Sequence, residues 1–363
     1  MIPSFWKPLM YSLVCAPPQM PYPTKATPVL TQKISTPMHT CSSHYLTVSY
    51  DVSSRLTVEG MNALLLIDKL ITLIKTRHSA LSKESISINE SGWSNLVVVV
   101  GGRIVFRFPR TDSAKKTLQI EQRILPTLGP SLPLPIPQFL YASSPTDEIT
   151  YVGYPLIKGD PLSPRALHSL SSKQKELVAK QLGEFLTALH TFPIENEFPS
   201  TIEASWTIKT WQRNYETIKR KCYPYMDPQL IAWTDRVFTR FLSDSASFHF
   251  SPCLLHNDFK PAHILYNSRQ RAISGVIDFG SMWVGDPAYD FVGLHKAYGQ
   301  EFAAQVIRHY GAPIDKAFFR RITDFYLKVM SFWKLLHGIE TNNQRLIQSA
   351  LEKLRMISKL DRA

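Results

Sequence analysis

Leu255-His256-Asn257-Asp258-Phe259-Lys260-Pro261-Ala262-His263-Ile264-Leu265 is followed, after a strand-like stretch, by Val276-Ile277-Asp278-Phe279-Gly280. The spacing of three side chains in these two segments decides how the whole chain is read. Asp258 is a carboxylate suited to orienting a hydroxyl. His263, five residues on, and Asp278, which opens an Asp-Phe-Gly triplet after residues 273–277, are candidate ligands for a metal. Phosphoryl transfer asks little covalent chemistry of a protein, but it needs a carboxylate that positions the acceptor and cations that neutralise the phosphates. Each piece alone reads as well as a turn. His263 taken alone is as much a loop histidine as a ligand, because magnesium prefers oxygen. His256, two residues before the aspartate, suits hydrogen bonds that hold the loop. Order and spacing together, with a β-rich segment ahead of them, favour a catalytic centre over a set of turns.

That β-rich segment begins at residue 85. Ser85-Ile86-Ser87-Ile88, residues 96–100 and residues 103–108 alternate or run apolar, and Gly101-Gly102 between the last two marks a hairpin turn. A helix is predicted over 113–125, stopped by Pro126, followed by strands over 139–142 and 149–157. Five strands with one inserted helix make a small antiparallel α+β lobe. After Gly159 the pattern turns helical. Ser171 and Gln174 form a capping box ahead of the apolar face Val178, Leu182, Phe185 and Leu189. Further helices are expected over 206–221, 230–242, 301–310, 318–336 and 343–360. Residues 1–60, rich in Pro, Ser and Thr without useful periodicity, are expected to be a disordered extension. Met61 opens a helical pattern to residue 77 with Leu64, Ile67, Ile71 and Ile74 on one face, and is a plausible start of the working protein. The expected organisation is therefore 1–60 extension, 61–157 first lobe and 158–363 helical second lobe, with a ligand cleft between the lobes.

Bulk properties narrow the partners. The 363 residues are 44% hydrophobic and 11% aromatic, an ordinary globular composition. The 41 Lys and Arg against 29 Asp and Glu leave +12, which favours anionic ligands such as phosphates. The charge forms no run of basic residues interleaved with aromatics, so no nucleic-acid partner is expected. No apolar run reaches roughly 18 residues, so no membrane span is expected. Cys15, Cys41, Cys222 and Cys253 are scattered without metal-ligand spacing, which points to a reducing, cytoplasmic setting.

The five-residue offset from Asp258 to His263 and the Asp278-Phe279-Gly280 triplet resemble the catalytic loop and metal segment of the protein-kinase-like superfamily. Within it, Cys253-Leu254-Leu255-His256-Asn257-Asp258-Phe259, His263-Ile264-Leu265, residues 275–280, Asp286-Pro287 and Asp290-Phe291 resemble the aminoglycoside phosphotransferase family, most closely its 2''-phosphotransferases. Members of that subgroup have His where most relatives have Asn. The similarity runs from about residue 61 to the C-terminus and is strongest over 252–294. It implies a bilobal protein-kinase-like α+β fold, with an antiparallel-sheet first lobe, a larger helical second lobe, magnesium, and ATP or GTP as phosphate donor. It further implies Asp258 as the catalytic base and His263 with Asp278 as metal ligands.

Other positions carry over from the family by their place in its pattern. Ile104-Val105-Phe106-Arg107-Phe108-Pro109 resembles the strand that bears a phosphate-contacting lysine, with Arg107 in its place, and Glu121 matches the glutamate that pairs with that cation. Arginine binds phosphate more rigidly and in a fork. A surface ion pair is the bland reading of the two. Glu90-Ser91-Gly92-Trp93-Ser94-Asn95 occupies the nucleotide-loop position, where Ser91 and Ser94 are candidates for the phosphates. Residues 151–159 resemble the interlobe hinge, where the carbonyl of Pro155 and the N–H of Ile157 are expected to meet the purine and Tyr154 to narrow its pocket. Asp286 and Glu340 match acceptor-side acids. The chain is otherwise poor in them: Ser281 stands where the subgroup has Asp, and His295-Lys296 where acids are expected. The acceptor is thus an aminoglycoside or another hydroxylated small molecule, and a non-catalytic nucleotide-binding module is the third reading.

Overall fold

The structure, a computed structural model, describes residues 58–89, 94–193 and 206–361. The extension expected over residues 1–60 lies, up to residue 57, outside the described residues. Helix α1, Val58–Arg77, begins three residues before Met61, so that methionine does not mark its start. Its buried face is Ile67, Leu70 and Ile74, while Leu65 and Leu66 are exposed.

Strands β1 (Ile86–Asn89), β2 (Asn95–Val100) and β3 (Ile104–Pro109) form a meander. Gly101 and Gly102, at φ +58° and +61°, occupy the two central positions of the β2–β3 turn, where any side chain would be strained. Alternation sorts the strands: Val98, Val100, Phe106 and Phe108 pack against α1, whereas Val99, Val105 and Tyr154 lie on the opposite face. Helix α2, Asp112–Leu128, is capped by the Thr111 hydroxyl and continues past Pro126. The expected stop fails because proline this late removes one backbone bond, while Leu125 and Leu128 are fully buried and Gly129 N–H caps the Leu125 carbonyl. Strands β4 (Tyr141–Ala142) and β5 (Val152–Pro155), shorter than expected, complete an antiparallel sheet of order β1-β2-β3-β5-β4.

The second lobe follows through β6 (Asp160–Pro161), α3 (Pro164–Ser169), α4 (Ser172–His190), α5 (Ile208–Cys222) and α6 (Pro228–Ser243). The capping box of Ser171 and Gln174 is present, and Val178, Leu182, Phe185 and Leu189 are fully buried. Next come β7 (Cys253–Leu255), β8 (Ile264–Asn267), β9 (Ala272–Val276) and β10 (Trp283–Gly285), in two small antiparallel sheets, β10-β7 and β6-β8-β9. Helices α7 (Asp290–Tyr298) and α8 (Gln300–Arg308) lead to a helical turn Phe318–Arg320, a π-helical turn Arg321–Tyr326, and α9 (Leu327–Glu340). Asn343 caps α10, Gln344–Leu360. One continuous helix was expected over 318–336. The π turn coincides with a fully buried Arg321, whose guanidinium binds Asp286.

Asp290, at the start of α7, ties these elements together. Its Oδ2 accepts from His256 N–H at 2.8 Å and its Oδ1 from Asn257 N–H at 2.7 Å. His190 Nε2, from α4, lies 3.1 Å from Oδ2, and its Nδ1 faces the Tyr310 hydroxyl at 2.8 Å. Removing the carboxylate would strand two buried amides and an imidazole. Asp290→Ala is therefore expected to cost about 3–5 kcal/mol of unfolding free energy, measured by denaturant titration, where a surface aspartate would cost almost nothing.

Candidate active site

The loop after β7 is bent by Asn257, held at φ +64°, whose side-chain amide donates to the Ser281 carbonyl at 2.9 Å. His256 serves the same frame. Its Nε2 donates to the Ile277 carbonyl at 3.0 Å, and its Nδ1 accepts from the Asp258 N–H at 3.3 Å, so both ring nitrogens are occupied by backbone. Asp258 then points into the cleft, buried, with the Lys260 ammonium 2.8 Å from its Oδ2. Burial pushes the Asp258 carboxyl well above its ordinary value, against the pull of Lys260. A carboxylate raised in this way is a stronger base. Lys260 was passed over in the sequence, although a lysine two residues after the aspartate was its signal.

His263, Asp258 and Asp278 each offer a ligand atom, all within 4.8 Å of one another. The His263 Nδ1 lies 3.0 Å from the Asp258 backbone carbonyl, which can only accept, so that nitrogen carries the proton. Burial lowers the His263 pKa, against the pull of Asp278, and so favours the neutral ring with its lone pair on Nε2. That lone pair faces Asp278 Oδ2 at 3.3 Å. Two electron-rich atoms held face to face, with a second carboxylate beside them, fit a cation. Asp278 itself sits at φ +65° and ψ +64°, an uncommon conformation outside glycine and asparagine, and its side chain is half exposed to the cleft.

Across the cleft Arg107, on β3, grips Glu121 of α2 through Nη1–Oε2 at 2.7 Å and Nη2–Oε1 at 3.0 Å. Arg107 is 6% exposed and Glu121 0%, which rules out the surface ion pair as a reading. The guanidinium acts electrostatically on Asp278 and Tyr154, so Arg107 of the first lobe and Asp278 of the second lie within reach of each other's charge.

The remaining expected residues are placed less uniformly. Ser91 lies outside the described residues. Ser94 is placed at the start of β2, where its carbonyl accepts from Arg110 N–H at 2.9 Å. Pro155 ends β5 opposite Ile104, and Ile157 lies on the short link from β5 to β6, between the sheets of the two lobes. Asp286, expected to face the acceptor, is a correction. It is fully buried, its oxygens bound by Arg321, the Tyr326 hydroxyl and Ala288 N–H, so it holds β10 against the π turn and is not available to a ligand. Glu340, at the end of α9, is partly exposed and paired with Lys221 of α5 at 2.6 Å.

No helix among the described residues is long and apolar enough to cross a membrane. Cys222 and Cys253 are buried free thiols, their pKa values pushed up by burial.

Solved structures share this fold. The wild-type aminoglycoside 2'-phosphotransferase-IIIa in its GDP complex superposes with a TM-score of 0.74 at 27% identity, covering 81% of this chain and 98% of that one. A complex of a related 2''-phosphotransferase with GDP and kanamycin gives the same TM-score and identity over 80% and 98%. Viomycin phosphotransferase of Streptomyces vinaceus is 26% identical over 215 residues, 58% of this chain and 73% of its own length. These likenesses establish the bilobal, protein-kinase-like fold. The model of the phosphotransferase enzyme family matches residues 85–321, from β1 through Asp258, His263 and Asp278 to Arg321, and the chain belongs to that family.

Proposed function

We propose that this kinase-type phosphotransferase moves the γ-phosphate of ATP or GTP to a hydroxyl of a small molecule, in the cytoplasm, where both nucleotides are supplied. The observation that carries the reading is the convergence of Asp258, His263 and Asp278 within 4.8 Å, opposite the buried Arg107–Glu121 pair. The acceptor oxygen attacks the γ-phosphorus, its proton passes to the Asp258 carboxylate, and the bond to the departing nucleoside diphosphate breaks. Asp258 orients that hydroxyl, and Lys260 at 2.8 Å holds the carboxylate in place. His263 Nε2 and the Asp278 carboxylate would hold magnesium, which supplies charge neutralisation at the phosphates. Arg107, positioned by Glu121, contacts the nucleotide phosphates, with Ser91 and Ser94 in the nucleotide loop and the Pro155 and Ile157 backbone beside the purine. Among acceptors, a hydroxylated metabolite other than an aminoglycoside is favoured by two observations: Asp286 is engaged in the core and Glu340 is paired with Lys221.

Purified protein with magnesium and either nucleotide, offered a panel of hydroxylated antibiotics and metabolites, is expected to release nucleoside diphosphate in step with acceptor phosphorylation. Asp258→Asn should lower that rate by about a hundredfold or more. An undiminished rate in the variant would remove Asp258 from the chemistry. For the metal site, His263→Asn exchanges nitrogen for an oxygen ligand and should keep magnesium-dependent turnover, while His263→Leu should raise the magnesium requirement about tenfold or more. Equal magnesium dependence in both variants would sink the ligand role. In thermal or chemical unfolding, Arg107→Met or Glu121→Met alone should cost about 3–5 kcal/mol, and the double variant should recover most of that loss, because no unpaired charge is left buried.

A further inference from the structure

Helices α7, α9 and α10 line an open cavity of about 420 Å³. Lys296, Lys334 and Lys353 line it with a single carboxylate, Glu352, and with Met330 and Met356 as apolar wall. Lys334 donates to Ser349 at 2.8 Å. Burial and the like charges of Lys353, Lys260 and Lys334 all act to lower the pKa of the Lys296 ammonium. The cavity therefore concentrates positive charge that a bound anion would relieve.

Its position ties it to the reaction. A Cβ built on Gly293 of α7 would lie 2.1 Å from the Phe259 carbonyl, so only glycine lets this helix seat on the catalytic loop. Lys296 follows three residues on, about 4.5 Å further along the helix axis. Lys260, whose charge reaches Lys296, lies 2.8 Å from the Asp258 carboxylate. The electrostatic surroundings of Lys296 thus include the lysine that pairs with the proposed base. A polyamine placed there would meet ammonium groups of its own sign, and an anion would meet partners.

We propose that this cavity binds the acceptor, and that the acceptor is a hydroxylated small molecule carrying a carboxylate, sulfate or phosphate beside an apolar portion. The anionic group sits among Lys296, Lys334 and Lys353, the apolar portion lies against Met330 and Met356, and the hydroxyl is directed to Asp258. This rests on the phosphotransfer reading. The transfer step is the one given above: the acceptor oxygen gains the phosphoryl group, the nucleotide bond to it breaks, and the hydroxyl proton goes to Asp258.

The test uses the full chain and citrate as probe, titrated calorimetrically at fixed ionic strength without magnesium. Lys296→Gln with Lys353→Gln should weaken citrate binding about tenfold or more, and Lys296→Arg, which keeps the charge, should not. Equal affinity in the wild type and the double variant would overturn the cavity as an anion site. In a second arm, glucuronate, glucose, glucosamine and kanamycin are compared as acceptors with magnesium and ATP or GTP. Preference for glucuronate supports the proposal, and preference for glucosamine or kanamycin overturns it. Citrate binding decides the cavity whether or not these compounds are phosphorylated. Magnesium-dependent turnover and its loss in Asp258→Asn decide the phosphotransfer reading separately, so the two ideas fail by different results.

Discussion

The carboxylate of Asp290 accepting the consecutive N–H groups of His256 and Asn257 is the constraint on which the rest of the site depends. Two successive amides pointing the same way need a sharp bend in the chain, and Asn257 supplies it at φ +64°. The bend turns Asp258 into the cleft while leaving its own N–H on His256. Because Asp290 also begins α7 and meets His190 of α4, the packing of two helices joins the loop's own residues in setting its conformation. A buried carboxylate is costly unless its oxygens are bound. Here the oxygens are bound by the groups that must be held still, so the burial cost and the positioning are one arrangement.

Strain at the centre is placed on the same logic. Asn257 and Asp278 both occupy the left-handed region, and each stands beside a residue of the three-ligand cluster or belongs to it. Such conformations cost about 1–3 kcal/mol and persist only where surrounding contacts over-determine them. The contacts are visible: Asn257 is fixed by Asp290 and by the Ser281 carbonyl, and the segment before Asp278 is fixed by His256 at the Ile277 carbonyl. The loop and the metal segment are therefore stapled to each other through backbone, which keeps His263 Nε2 and Asp278 Oδ2 at 3.3 Å.

Much of this was legible in the chain itself, for physical reasons. The order of Asp258, His263 and Asp278 is local, and local spacing survives folding. So does the Gly101-Gly102 turn, since two positive φ angles leave few alternatives to glycine, and so does the Ser171–Gln174 box, whose partners are three residues apart. What was not legible depends on distant partners. Asp286 looks like an acceptor acid until Arg321, 35 positions away, is found to occupy it. Pro126 looks like a stop until the buried Leu125 and Leu128 are seen to hold the last turn of α2. The depth of the Arg107–Glu121 pair could not be read from either residue, because burial belongs to the assembled lobe.

The proposed separation between transfer chemistry and recognition follows from which elements carry each set of side chains. Asp258, His263 and Asp278 lie on segments bound to each other through backbone, so a substitution there disturbs several hydrogen bonds at once. Lys296, Lys334 and Lys353 come from three different helices and carry their charges on long, flexible stems into an open cavity. Side chains of this second kind can change without moving the backbone that positions Asp258. A fold built in this way can retain one phosphoryl-transfer centre while the charge around it is inverted. The shortage of acids after Asp290 and the three lysines of the cavity then accord with the proposal of a cleft that takes anions at both ends, nucleotide phosphates at Arg107 and an anionic acceptor at Lys296.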